Sequence, residues 1–202
     1  MPYRIELEKV YTDLFDQLGY DFSLKTYPVS RGLAMLEAGL VDGDCSRSES
    51  LLDNSGNVSI VRVGVVIRST DYGVWSHSAD LESISILDLK KQNYRIGYSK
   101  GSVVVEQFFR RHDLTNVVAI EGLSNGLRML SANRFDLFLV GNGLVYEQEN
   151  TMGLRSPIYM GGIVFRDHSY LYLHKKHEKL RDVIERKLAM VIQPGGVPVK
   201  KH

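Results

Sequence analysis

The sequence predicts an α/β protein built from two similar lobes. Three observations carry this. Strands alternate with helices in two runs of the chain, which calls for parallel sheets with crossover helices. A stretch near the N-terminus recurs 94 positions later. The chain, at 202 residues, is long enough for two small lobes and little more.

In the first run of elements, Ile5, Leu7, Val10, Tyr11, Leu14, Phe15 and Leu18 fall mostly three and four residues apart. That spacing gives a helix one apolar face and predicts a helix over 4–18, closed by Gly19. Phe22–Leu24 reads as a short strand. Pro28-Val-Ser30 opens a second helix with Ser30 as N-cap, apolar at Leu33, Leu36 and Leu40 and closed by Gly39. Leu40–Asp44 then reads as a buried strand.

The second run opens with a strand over Tyr94–Tyr98. Gly101-Ser102 begins a helix carrying Val104, Val105, Phe108 and Phe109, and Val117–Ile120 is a strand. Ser124 caps a helix with Leu127 and Leu130, and Phe135–Val140 is apolar enough to be buried on both faces.

Shifting the first run by 94 lays Arg31–Asp42 on Asn125–Asp136, with six of twelve positions identical. Leu14-Phe15 then meets Phe108-Phe109, and Ser30 meets Ser124. The shift also predicts that the counterpart of strand Tyr94–Tyr98 ends near residue 4. The first lobe is therefore expected to lack its opening strand.

Composition narrows the function. Lys+Arg is 25 and Asp+Glu 24, a net charge of +1, which argues against a nucleic-acid binder. One cysteine, Cys45, makes neither an internal disulfide nor a multi-cysteine zinc site. Hydrophobic residues are 44 %, yet no run approaches the roughly 18 apolar residues of a membrane span. Met1-Pro2-Tyr3-Arg4 leads straight into an amphipathic pattern rather than a signal peptide.

A further pattern is Pro28-x-x-Arg31, Leu36-x-x-Gly39-x-x-Asp42-Gly43-Asp44-x-x-Arg47. It is followed in order by Ile86-Leu-Asp88-Leu89-Lys90, Tyr94-Arg-Ile-Gly97, Gly101-Ser102, and Tyr170–Leu180. Together these resemble the bacterial extracellular solute-binding proteins of family 3, the amino-acid receptors of ABC importers, over about residues 5–192. The resemblance implies a type II periplasmic-binding fold with hinge strands near Tyr72–Ser76 and Ser169–His174. Lobe one would comprise 1–74 plus 171–202 and lobe two 75–170. It also implies a non-enzymatic, monomeric periplasmic protein whose export signal has been removed. Such a protein would close around a small carboxylate-bearing solute in the cleft between lobes and present it to an ABC permease or a sensor partner. No cofactor, metal or nucleic acid is expected.

The candidate ligand-binding residues follow from the same match. Arg47 follows the first-lobe strand where the family's carboxylate arginine does, and a planar guanidinium suits a carboxylate. Gly101 and Ser102 sit at a helix start, where unpaired N–H groups and the positive dipole end suit an anion. Arg31 lies in the Pro-x-x-Arg pattern, and Asp42 or Asp44 is placed to neutralise Arg31 or Arg47. Ser69, Thr70 and Tyr72 precede the first hinge, with Trp75 read as hinge core. Asn142 stands beside Gly141, where the family's receptors usually carry the aspartate that meets a ligand α-ammonium. A standard α-amino-acid contact is thus missing, unless Glu147 supplies it.

The alternative is an enzyme on the same fold, either dehydratase-like or a hydrolase. Gly122-Leu-Ser124-Asn-Gly126 matches the nucleophile-elbow pattern between a strand and a helix, with Asp136, Asp167, His168, His174 and His177 downstream. His174-x-x-His177 is at most half a metal site.

Overall fold

A computed structural model describes residues 2–50, 59–79, 81, 83–146 and 153–192. Glu147, the Pro194–Pro198 stretch and the basic C-terminal end lie outside these residues. Helices are α1 (Pro2–Asp16), α2 (Val29–Glu37), α3 (Ile86–Lys91), α4 (Val103–Arg111), α5 (Leu123–Ser131), α6 (Asn142–Tyr146) and α7 (Arg181–Val191). Strands are β1 (Gly43–Ser48), β2 (Ile60–Ser76), β3 (Ile96–Ser99), β4 (Val117–Ile120), β5 (Leu137–Gly141) and β6 (Tyr159–His174). The chain divides into two units, Met1–Ser69 with His168–His202, and Thr70–Asp167. Both divisions fall inside long strands, β2 and β6, which also contain the boundaries drawn from sequence at 74/75 and 170/171.

In the second unit the strand order is β2-β5-β3-β4. β5 runs antiparallel to β2 and parallel to β3, and β3 runs parallel to β4. Every residue of β5 is buried, as an apolar strand between two helical layers must be. On one side Leu137 and Leu139 meet Val105, Phe108 and Phe109 of α4. On the other, Phe138 and Val140 meet Leu127 and Leu130 of α5. Gly126 lets α5 approach the sheet, because a methyl there would overlap the Phe138 ring.

The repeat holds for the helix–strand pairs α2–β1 and α5–β5. α2 and α5 start and end 94 residues apart, and β1 begins 94 residues before β5. The first unit's order is β1-β6-β2, with β1 antiparallel to β6. Its core gathers Leu7, Tyr11 and Leu14 of α1, Val63 and Ile67 of β2, Leu171 and Leu173 of β6, and Ile184 and Leu188 of α7.

Three sequence expectations change. Phe22–Leu24 is not a strand. Its neighbourhood matches β4, whose ladder is to β3, and the residues matching β3 are the first turn of α1. An extended segment becomes a strand only when its backbone groups find a neighbour. Phe22 instead stacks on Phe15, with ring centroids 5.5 Å apart and planes 4° from parallel. Second, the strand read at Leu40–Asp44 lies at 43–48 and is half-buried along its whole length. Among the described residues no strand flanks it where β3 flanks β5, so β1 is a sheet edge. Third, neither Ser30 nor Ser124 is an N-cap. Those places belong to Pro28 and to Gly122, the latter at φ 78°, and each serine is the second residue of its helix.

A side chain does for β1 part of what β3 does for β5. The Tyr11 hydroxyl, wholly buried, donates to the Cys45 carbonyl at 2.6 Å. The residues 94 positions on are Val105 and Leu139, and Leu139 pairs with Tyr98 of β3. Replacing Tyr11 with Phe removes that donor and leaves a partly buried carbonyl short of it. The expected loss is about 1–2 kcal/mol, read as a lower urea midpoint with an unchanged slope.

Candidate functional site

Arg47 ends up in an ion pair at the N-terminal end of α2. Its Nε donates to Asp44 Oδ2 at 2.7 Å and its Nη2 lies 2.6 Å from the same oxygen. Nη2 also donates to the Val29 carbonyl at 3.3 Å. The side chain is 14 % exposed, so this is a largely desolvated charge with its countercharge three residues away. Of the two aspartates considered, Asp44 is the partner of Arg47. Asp42 instead accepts from Lys176 Nζ at 2.8 Å and His177 Nε2 at 2.7 Å, and these donors hold its carboxyl below the usual range. Arg31 is exposed, its guanidinium 5.8 Å from the centre of the Tyr27 ring.

The equivalence between units explains why Arg47 fits. Gly32 matches Gly126. Beside Gly126 lies the Phe138 ring, whereas beside Gly32 lies Arg47 Nη2, 3.5 Å from where a methyl would stand. Asp44 occupies the place of Phe138 in the repeat, so the first unit carries an ion pair where the second carries an aromatic core residue.

In the second unit Ser102 is the N-cap of α4, preceded by Gly101 at φ 81°. Its hydroxyl makes no capping hydrogen bond, and its N–H donates to the Ser99 carbonyl at 3.1 Å. The Val103 N–H donates to the Gly101 carbonyl at 3.0 Å, so the nine-residue helix starts from a tight turn that already engages two of the backbone donors there. Glu106 supplies a negative charge in that first turn.

Asn142, at the end of β5, is buried at 8 % exposure and accepts from Trp75 Nε1 at 3.3 Å. Gly73 lies against its amide, leaving no room for a side chain there. Tyr72 stacks on Phe165, centroids 4.7 Å apart, and Phe165 stacks in turn on Phe108. Ser69 shares a hydrogen bond of 2.9 Å with His168 Nδ1, and Thr70 is half-buried in β2. The serine-rich end of β1 went unremarked in the sequence reading. Ser46 bonds Ser169 at 2.8 Å, and Ser48 bonds Ser50 at 2.8 Å. Alternating serines along Ser46–Ser50 were the available signal.

Ser124 follows a strand and the Gly122 turn as an elbow serine would, but His168, His174 and His177 all belong to the other unit. Asp136 Oδ2 accepts from the Arg95 N–H at 2.7 Å. His174 caps the Lys176 N–H, and His177 meets Asp42. Among the described residues no group of three His, Cys, Asp or Glu is placed to hold a metal ion. Burial pushes the Cys45 thiol up to about 12, so it stays protonated and unreactive near neutrality. Two concavities, about 420 and 610 Å³, lie between β4 and α5 and between β4 and α4. Neither touches a candidate residue named above. No described helix is long and apolar enough to cross a membrane.

No family model matches the chain. An uncharacterised protein of Shewanella oneidensis is 26 % identical over 192 residues, covering 93 % of this chain and 71 % of that protein. Among solved structures, the probable amino-acid ABC transporter extracellular-binding protein YtmK of Bacillus subtilis superposes with a TM-score of 0.67. It is 19 % identical, over 92 % of this chain and 81 % of its own. A histidine kinase sensor domain similar to periplasmic binding proteins gives 0.66 at 16 % identity, over 94 % and 79 %. The arginine-bound form of truncated ArgBP from T. maritima gives 0.63 at 11 % identity, over 91 % and 83 %. Two repeated α/β units joined by two strand crossings, superposable on these proteins over nine-tenths of the chain, are the type II periplasmic-binding fold.

Proposed function

We propose that the protein binds a small polar, carboxylate-bearing solute, amino-acid-like in character, outside the cytoplasm. It serves as a monomeric receptor for an ABC permease or a sensor and performs no catalysis. The observation that carries this reading is the duplication itself, two α/β units with matching α2–β1 and α5–β5 segments, joined by the crossings β2 and β6. Such units bring the carboxyl ends of their strands to a ligand, and the crossings are natural hinges. The names of the structural neighbours support the ligand class, since they include an amino-acid transporter receptor and an arginine-bound protein.

The Gly101–Ser102 turn is the anion site in this reading, through the positive end of α4 and the first-turn donors beyond the engaged Ser102 and Val103 N–H groups. Arg47 takes part under a constraint. Asp44 and Val29 already engage Nε and Nη2, so a carboxylate meets the guanidinium through Nη1. Ser69, Thr70, Tyr72 and Arg31 contribute polar and stacking contacts. Asn142, committed to Trp75, supplies no charge to an ammonium group, which favours solutes that do not depend on that contact.

A thermal-shift screen against amino acids, small organic acids and polyamines tests the reading. A solute at 100 times its dissociation constant should stabilise the fold by about 2.7 kcal/mol. Arg47→Ala should weaken a carboxylate hit by about tenfold or more, as loss of a charged hydrogen-bond donor does. Absence of any shift across the screen overturns solute binding of this class; an unchanged affinity in Arg47→Ala overturns only the assignment of Arg47.

A further inference from the structure

The strands that pass from one unit to the other, β2 and β6, are neighbours in the sheet order. Their cross-strand contacts fall on a single antiparallel register. The Ser169 hydroxyl reaches the Arg68 carbonyl at 3.5 Å, and Ser69 bonds His168 at 2.9 Å. Asp71 meets Arg166 through two bonds, Nε to Oδ1 at 2.6 Å and Nη2 to Oδ2 at 3.2 Å. Tyr72 stacks on Phe165 with planes 6° from parallel. Each step forward on β2 is one step back on β6. The same register sets Thr70 opposite Asp167, the first and last residues of the second unit. The chain therefore divides at the same rung on both strands.

We propose that Asp71–Arg166 is a clasp that couples the two crossings and holds them in register. A bidentate guanidinium–carboxylate pair fixes orientation as well as distance, which a single-point contact does not. The clasp sits one residue inside the division, between the Ser69–His168 pair and the Tyr72–Phe165 stack, so bending at Thr70 and Asp167 is shared by both strands. Arg166 is 57 % exposed and Asp71 32 %, so the clasp is open to screening by salt and can be released without disturbing a buried core. This goes beyond solute binding, and its test needs no solute.

Amide hydrogen exchange of the intact chain reads it directly. Arg166→Met, which keeps the aliphatic stem and removes the charge, should speed exchange by two- to fivefold at residues 68–72 and at residues 165–169 together, leaving β3 unchanged. Asp71→Asn should do the same, and the charge-exchanged double variant Asp71→Arg with Arg166→Asp should restore much of the protection. Faster exchange confined to the substituted strand, or no change in either strand, overturns the proposal. So does a double variant that melts like the wild type but shows no recovery.

Discussion

Replacing Phe138 with Ala is expected to cost about 3–5 kcal/mol, the range for deleting a fully buried aromatic ring. Phe138 has no exposed surface and lies at the centre of a cluster with Leu127, Leu130, Phe135 and Trp75. Gly126 has shaped the helix around that ring, so α5 has no side chain at the point of contact to fall into the void. The cavity should persist, and the cost should lie toward the upper end of the range. Trp75 is the chain's single tryptophan, 2 % exposed and in the same cluster, so its fluorescence reports this unit. An earlier Trp75 transition in urea is expected. Gly126→Ala should also destabilise, by about 1–3 kcal/mol of overpacking partly offset by the better helix propensity of Ala. An unshifted Trp75 midpoint in Phe138→Ala would show that the cluster does not hold the unit together.

The counterpart substitution in the first unit should behave by a different rule. Asp44→Ala removes the countercharge of Arg47, whose side chain is only 14 % exposed. A fully buried pair broken in this way costs roughly 3–5 kcal/mol. Asp44 is 23 % exposed, so water reaches part of the pair and about 2 kcal/mol is expected. Replacing both members together, Asp44→Leu with Arg47→Met, should recover most of that loss, because neither charge is then stranded. Urea midpoints of the two single variants and the double separate these cases. A double variant as unstable as Asp44→Ala would mean that the pair is irreplaceable for packing, not merely mutually compensating. The same double variant should lose any carboxylate ligand that depends on Arg47, separating the pair's structural contribution from its binding role.

The two repeated runs were legible in the sequence because they rest on local pattern. The apolar run that becomes β5, the helical spacing of Leu33 and Leu36 against Leu127 and Leu130, and the glycines at positive φ all act within a few residues of themselves. The 94-residue repeat then multiplied the signal, since two weak helix–strand patterns support one another when their elements coincide.

The failures share one cause, which is that they depend on what lies alongside. Phe22–Leu24 has the composition of a strand but no ladder partner, and Ser30 and Ser124 sit one step inside helices that begin earlier than their side chains imply. The candidate site was less legible than the fold. Arg47 lies within β1, not after the strand as the sequence reading had it, and that reading could not choose Asp44 over Asp42 as its partner, nor bind the Asn142 amide to Trp75.

The sequence by itself determined the helix–strand order of the two repeated segments, α2–β1 and α5–β5, and their duplication; the strands by which the chain crosses between units followed from the family resemblance. Periodicity and turn chemistry are local and survive without knowledge of the third dimension. Tertiary structure alone decided that β1 is an edge relieved by the Tyr11 hydroxyl, and that an ion pair replaces an aromatic ring in one repeat. It also set the single register that pairs Asp71 with Arg166. Each of these is a contact between residues tens of positions apart or a choice among neighbouring charges, and such choices are made by geometry.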